Sequence, residues 1–173
     1  MNNVSGSGRE LTIDQDDFLV SKSDLKGCLT YVNRTFMRMS GYPEYELLGQ
    51  QHNIIRHPDM PRGIFHLLWQ RLTSGRECYL YLKNLSREGD FYWAFTHVSI
   101  ALDEDGRPRG YFSVGRKPSH RGVETITPMY EEMLRIEQRS DAKRAAELSS
   151  HWLLQQVAER GLSYEGFMHS LGY

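Results

Sequence analysis

ECYLYLKNLSREGDFYWAFTHVSIAL, residues 77–102, is rich in aromatic and β-branched side chains that alternate with a period of two. Such alternation belongs to strands, whose successive side chains point to opposite faces. The central SREGD is turn chemistry, so the stretch reads as a strand ECYLYLKNL, a turn, and a long strand FYWAFTHVSIAL. DEDGRPRG (103–110) supplies a second turn and YFSVGRK (111–117) a third strand, which makes an antiparallel meander.

Upstream the period changes. In PRGIFHLLWQRLTSG (61–75), Phe65, Leu68, Trp69 and Leu72 recur at i, i+3, i+4 and i+7, a helical stripe facing a core, and Gly75 ends it. PEYELLG (43–49) reads as a short helix with Pro43 at its first position and Gly49 closing it. RTFMRMSGY (34–42) is another, with Asn33 as N-cap, Phe36 and Met39 three apart, and Gly41 at its end. FLVSKSDLKGCLTYVN (18–33) reads as a hairpin, with strands over 18–20 and 28–32 joined by a turn over 24–27. Setting this hairpin beside the meander gives an α+β fold: one five-stranded antiparallel sheet with short helices on one face.

Beyond Ile126 the composition shifts to helix formers. TPMYEEMLRIEQRS (127–140) opens with Thr127 as N-cap and Pro128 in its first turn. DAKRAAELSSHWLLQQVAERG (141–161) places Ala142, Ala145, Leu148, Trp152 and Val157 on or near one stripe, and SYEGFMHSLGY (163–173) adds a last short helix. The chain therefore divides into a loose Gly/Ser/Asn-rich arm over 1–12, a sensor-sized domain over 13–120 and a C-terminal helical extension over 121–173.

At 173 residues the chain is long enough to bury a core. Its 21 Lys and Arg nearly balance 22 Asp and Glu, so no global field favours nucleic acid or an anionic membrane. Two cysteines, Cys28 and Cys78, are too few for a disulfide scaffold and suggest a reducing compartment. No signal-peptide pattern and no apolar run of membrane-spanning length occurs, so a cytoplasmic location without membrane insertion is expected.

The chemistry concentrates in GQQHNIIRHPDMP (49–61). His52, His57 and His66 lack zinc-helix spacing, Asp59 is the only local carboxylate, and no nucleophile elbow, Walker A or GxGxxG element is present. An enzyme is not expected. The plain structural reading is that Pro58 and Pro61 break the backbone while Arg56 and Asp59 pair. The functional reading is that Arg56 and His57, just before a helix N-terminus, offer planar donors to a phosphate or a polarised ring.

Taken together, YVNRTFMRMSGYPEYELLGQQHNIIRHPDMP with FHLLWQRLTSG, YLKNLSREGDFYWAFTHVSI and GYFSVGRK resembles the FAD-binding PAS sensor domain of bacterial aerotaxis receptors over residues 12–117. The resemblance implies a PAS fold holding FAD between the helices and the sheet. It further implies redox or oxygen sensing, as in aerotaxis or energy taxis, reported by protein–protein contact to a chemoreceptor or another signalling protein, with a homodimer as the assembly. The flavin-binding cluster carries over to Arg56, His57 and Asp59, together with Asn53, Trp69, Asn84 and Asn33. Strand alternation puts Tyr92, Ala94, Thr96 and Val98 on one face, and flavin-binding PAS relatives imply that this face, with Tyr92 and Thr96, looks into the pocket. Two features depart from the family: Cys78 and Leu80 stand where aerotaxis receptors commonly have Trp and Gly, and no receptor coiled coil follows. No cysteine lies in the segment expected to face a flavin, which argues against photoadduct chemistry. The alternatives are a cofactor-free interaction or dimerisation module, in which Met133, Leu134, Trp152 and Leu153 serve a partner helix, and a haem-binding PAS sensor with His52 or His66 as axial ligand.

Overall fold

The structure, a computed structural model, describes residues 8–172. The hairpin forms as β1 (Leu19–Asp24) and β2 (Leu29–Val32), and the meander as β3 (Cys78–Leu85), β4 (Phe91–Leu102) and β5 (Pro108–Arg116). They make one antiparallel sheet in the order β2-β1-β5-β4-β3. β1 runs on to Asp24, past the expected end at 20, because its whole length pairs with β5. Between hairpin and meander lie α1 (Arg34–Ser40), α2 (Glu44–Leu47), a 3-10 turn (His52–Ile55) and α3 (Arg62–Thr73).

Of the arm expected over 1–12, residues 1–7 lie outside the described residues. Residues 9–11 run beside the start of β4, where Leu11 N donates to Phe91 O at 2.7 Å and Phe91 N to Arg9 O at 3.0 Å.

The period-two pattern gives the sheet two faces. The inner face carries Leu80, Leu82 and Asn84 on β3 opposite Thr96, Ala94 and Tyr92 on β4. Beneath α1 and α2 it joins Leu29, Val32, Phe36, Leu47 and Ile55 in one apolar cluster. The outer face carries Tyr79, Tyr81, Trp93 and Phe95, which are covered by α4 (His120–Arg139) and α6 (Tyr164–Gly172). α5 (Ala145–Ala158) packs on α3 and α4. Met133 and Leu153, which only the interaction-module alternative offered to a partner helix, are fully buried in this shared core, covering the domain's own surface.

β3 is an edge strand, and an unpaired edge must have its backbone groups satisfied. Three side-by-side donors do this: Tyr164 Oη to Tyr79 O at 2.8 Å, Tyr130 Oη to Tyr81 O at 2.8 Å, and His57 N to Lys83 O at 3.3 Å.

Two helical expectations need correction. α4 begins at His120, capped by Ser119 Oγ accepting from Gly122 N at 2.9 Å, so Pro128 lies inside the helix and Thr127 is no cap. Burial of Ile126, Met129, Tyr130 and Met133 on one stripe carries the helix across the proline. In α5 the buried stripe is Ala145, Ser149, Leu153 and Val157; Trp152 lies to one side and Ala142 precedes the helix. Small serines face inward because the α3 backbone passes close by.

Candidate functional site

The segment after α2 crosses the inner face of the sheet like a strap. At one end Gln51 bridges Cys28 beside β2, and at the other Arg56 bridges Asn84 on β3. The 3-10 turn between them, together with α3, stands away from the sheet. Beneath it several inward residues of β1 and β5 are small: the register sets Ser21 against Ser113, and Gly115 against Thr96 of β4. Small side chains in register leave a hollow: a cavity of about 230 Å³.

Its apolar walls are Phe65, Leu68, Trp69 and Leu72 of α3 facing Leu82, Val98 and Tyr111 of the sheet. The stripe read on α3 thus faces the cavity, while Ile64, Leu67 and Arg71 are buried on other sides of that helix. Trp69 and Tyr111 meet edge to face with centroids 5.2 Å apart.

The polar groups are few and local. Arg56 lines the cavity with its guanidinium 4.4 Å above the Phe65 ring and one Nη donating to Met60 O at 2.7 Å. Burial lowers its pKa, and the Glu137 carboxylate opposes that shift. Asn84 is 7% exposed, and among the described residues its side-chain amide has no hydrogen-bond partner. An amide that opens onto the cavity without a protein partner is free to bond a polar ligand there. His52 lines the cavity with Nε2 3.0 Å from Ser21 Oγ, and burial lowers its pKa, which keeps the ring neutral at pH 7. Asn53 and Gln51 complete the polar rim, the latter donating to Lys26 O.

Of the residues expected at the site, the structure brings Arg56, Asn53, Trp69 and Asn84 to the cavity. His57 stands just outside it, edge-on to Phe91 at 5.9 Å, with Nδ1 accepting from Asp59 N at 3.1 Å. Burial, then the nearby Lys83 charge, lowers the His57 pKa. Asp59 pairs with Lys83 Nζ at 2.6 Å rather than with Arg56, and that hydrogen bond lowers its pKa. Asn33 is a cap: Oδ1 accepts from Phe36 N at 2.9 Å and Val20 N at 3.1 Å, and Nδ2 donates to Phe18 O at 2.8 Å. Tyr92 and Thr96 share the inner face, as the resemblance implied, but do not reach the cavity. Cys78 and Leu80 pack in the core beside α3, and burial pushes the Cys78 thiol up to about 11. His66 is exposed on α3.

Sequence reasoning offered His52 only as a haem ligand, and missed Ser21, Ser23, Ser113 and Tyr111 as cavity residues altogether. A signal was present: small polar residues at alternate positions of SKS (21–23) and SVG (113–115), on strands otherwise bulky. What was missing was the register that brings them together.

An amide that both donates and accepts, a charged planar group and an apolar slot suit a flat heteroaromatic ring with polar edges, and a flavin is of that kind.

Residues 29–114 match the family described as the PAS fold. The aerotaxis receptor of Escherichia coli (strain K12) is 35% identical over 115 residues, 66% of this chain and 22% of the receptor. The nitrogen fixation regulatory protein of Klebsiella pneumoniae is 27% identical over 104 residues, 60% of this chain and 21% of that protein. Among solved structures, a light-oxygen-voltage domain studied with a flavin analogue superposes with a TM-score of 0.57 at 20% identity, covering 68% of this chain and 88% of that one. The chain spans about a fifth of the length of these two curated relatives. Among the described residues no helix is long and apolar enough to cross a membrane.

Proposed function

The chain belongs to the PAS fold family, a sensor domain related to aerotaxis receptors, and from that premise we propose that it is a redox or oxygen sensor binding FAD in the cavity between α3 and the sheet. The observation that carries this reading is the Asn84 amide, open to the cavity and without a protein partner among the described residues, beside Arg56 in an apolar slot. The volume of about 230 Å³ is below the roughly 300–1,000 Å³ common for ligand pockets, so it suits the ring portion of a dinucleotide rather than the whole.

Arg56, Asn84 and Asn53 are the residues proposed to hold the cofactor. When bound, a flavin supplies reversible electron transfer. Asn84 can donate or accept, so its amide can follow a change of protonation at the ring edge by exchanging one hydrogen bond for another. Arg56, anchored on Phe65 and Met60 O, supplies a fixed positive charge that favours the more negative form. A difference in these contacts between redox states is what biases a conformational equilibrium; equal contacts would transmit nothing. The domain is proposed to act in the cytoplasm, as a homodimer, on a chemoreceptor or another signalling protein, by analogy with the receptor it resembles.

Freshly purified protein is expected to be yellow and to bleach with dithionite. Asn84→Leu and Arg56→Ala are expected to strip the flavin while far-ultraviolet circular dichroism stays unchanged. Colourless wild-type protein that takes up no added FAD would sink the proposal in favour of a cofactor-free module.

A further inference from the structure

Glu137 is carried by α4, outside residues 29–114, yet it reaches the helix that walls the cavity. α3 begins after Pro61, which offers no side-chain cap, and its first turn holds no acidic residue. Helix starts leave amides without partners and favour negative charge. Glu137 meets both needs from another helix: Oε1 accepts from Gly63 N at 2.8 Å and Oε2 from Arg62 N at 3.0 Å. Oε1 also accepts from Ser149 Oγ of α5 at 2.7 Å, so three helices meet at one carboxylate.

The fit is close. A Cβ on Gly63 would collide with Ser149 Oγ and lie 2.8 Å from Ser150 N and 2.9 Å from Ala146 O. Only a glycine admits the α5 backbone at this point.

The same few residues fix Arg56. Its hydrogen-bond acceptor, Met60 O, lies just before the start of α3, and the ring beneath it, Phe65, lies two residues beyond Gly63. Glu137 therefore grips α3 between the two anchors of the Arg56 clamp. Its charge also acts directly on Arg56, raising a pKa that burial lowers.

We propose that Glu137 is a positioning residue of the cavity: it ties the first turn of α3 to α4 and α5, and so couples docking of those helices to the placement of Arg56 and Phe65. The ligand half of the inference rests on the flavin reading; the mechanical half does not. By thermodynamic reciprocity, whatever steadies the clamp steadies the helices, and the converse.

Hydrogen exchange on the full chain without added flavin tests the mechanical half, comparing wild type, Glu137→Ala, Glu137→Gln and a control, Arg135→Ala, on the exposed side of α4. Glu137→Ala is expected to speed exchange both at 56–68 and at 145–153, with Glu137→Gln, which keeps one acceptor oxygen, in between and the control unchanged. Exchange at 56–68 that stays at the wild-type rate in Glu137→Ala or Glu137→Gln overturns the coupling. A titration with FAD tests the rest: Glu137→Ala is expected to bind about tenfold more weakly, a step of about 1.4 kcal/mol, with partial rescue by Gln. FAD is also expected to slow exchange at 145–153 in wild type, a response a merely structural brace would not give. Wild-type affinity in a folded Glu137→Ala overturns the positioning role. Wild type that binds no FAD overturns the flavin reading, and the exchange comparison then decides on Glu137.

Discussion

Among the described residues, the Tyr92 hydroxyl is the fully enclosed side-chain polar atom with no hydrogen-bond partner, unlike the Asn84 amide, which opens onto the cavity, and burial pushes the Tyr92 pKa up. Removing an unsatisfied hydroxyl relieves a desolvation cost, so Tyr92→Phe is expected to leave the stability of the flavin-free protein within about 1 kcal/mol or to raise it. Urea midpoints for the two proteins check this, and a large loss would mean that Tyr92 has a partner. Burial lowers the pKa of both His52 and His57. The unfolded chain, with ordinary imidazoles, then takes up protons first as pH falls below about 6.5, and stability drops through that window. Urea midpoints are expected to be lower at pH 5.5 than at pH 7.5, with His52→Gln flattening part of the slope. At this scale the sequence was legible where an interaction is local. Asn33 was readable as a cap because its acceptor and the Phe36 amide are three residues apart. The Arg56 clamp was not, because Met60 O and Phe65 are set around it by a turn and a helix start that only packing orients.

The elements behave as their periodicities imply, and the exception is instructive. Proline at the first turn of a helix is a sound local rule, yet in α4 Pro128 lies eight residues past the start. It has no N–H to give the Glu124 carbonyl, and just before it the Thr125 and Thr127 hydroxyls bond back to Arg121 O at 2.8 Å and Val123 O at 2.7 Å. Burial of the α4 stripe outweighs the local defect. Pro128 is exposed, so Pro128→Ala is expected to stabilise the protein by about 1–3 kcal/mol, read as a higher denaturation midpoint. Gly63→Ala is expected to do the reverse and cost about 1–3 kcal/mol, since the added methyl meets α5 backbone. Neither effect could be assigned from a helical wheel, which shows which face is apolar but not how near the neighbouring backbone comes.

Across the whole molecule, α4, α5 and α6 share one apolar core with the outer face of the sheet. A chain ended at residue 118 would expose Tyr81, Trp93 and Phe95 and free the β3 carbonyls now held by Tyr130 and Tyr164. Such a fragment is expected to lose solubility or to self-associate, as size-exclusion chromatography would show. The sequence by itself determined the number and order of strands, the faces of β4, and the family, since alternation, capping and motif order are written within a few residues of one another. Tertiary structure alone decided the size of the cavity that the resemblance implied, that Ser21, Ser113 and Tyr111 open onto it, and that Glu137, some 70 residues downstream, bonds the first turn of the helix that walls it. The reason is that a hollow belongs to no residue. It is left over where small side chains on β1 and β5 fall into register beneath a strap pinned at both ends, and register between distant segments is fixed only when the sheet closes.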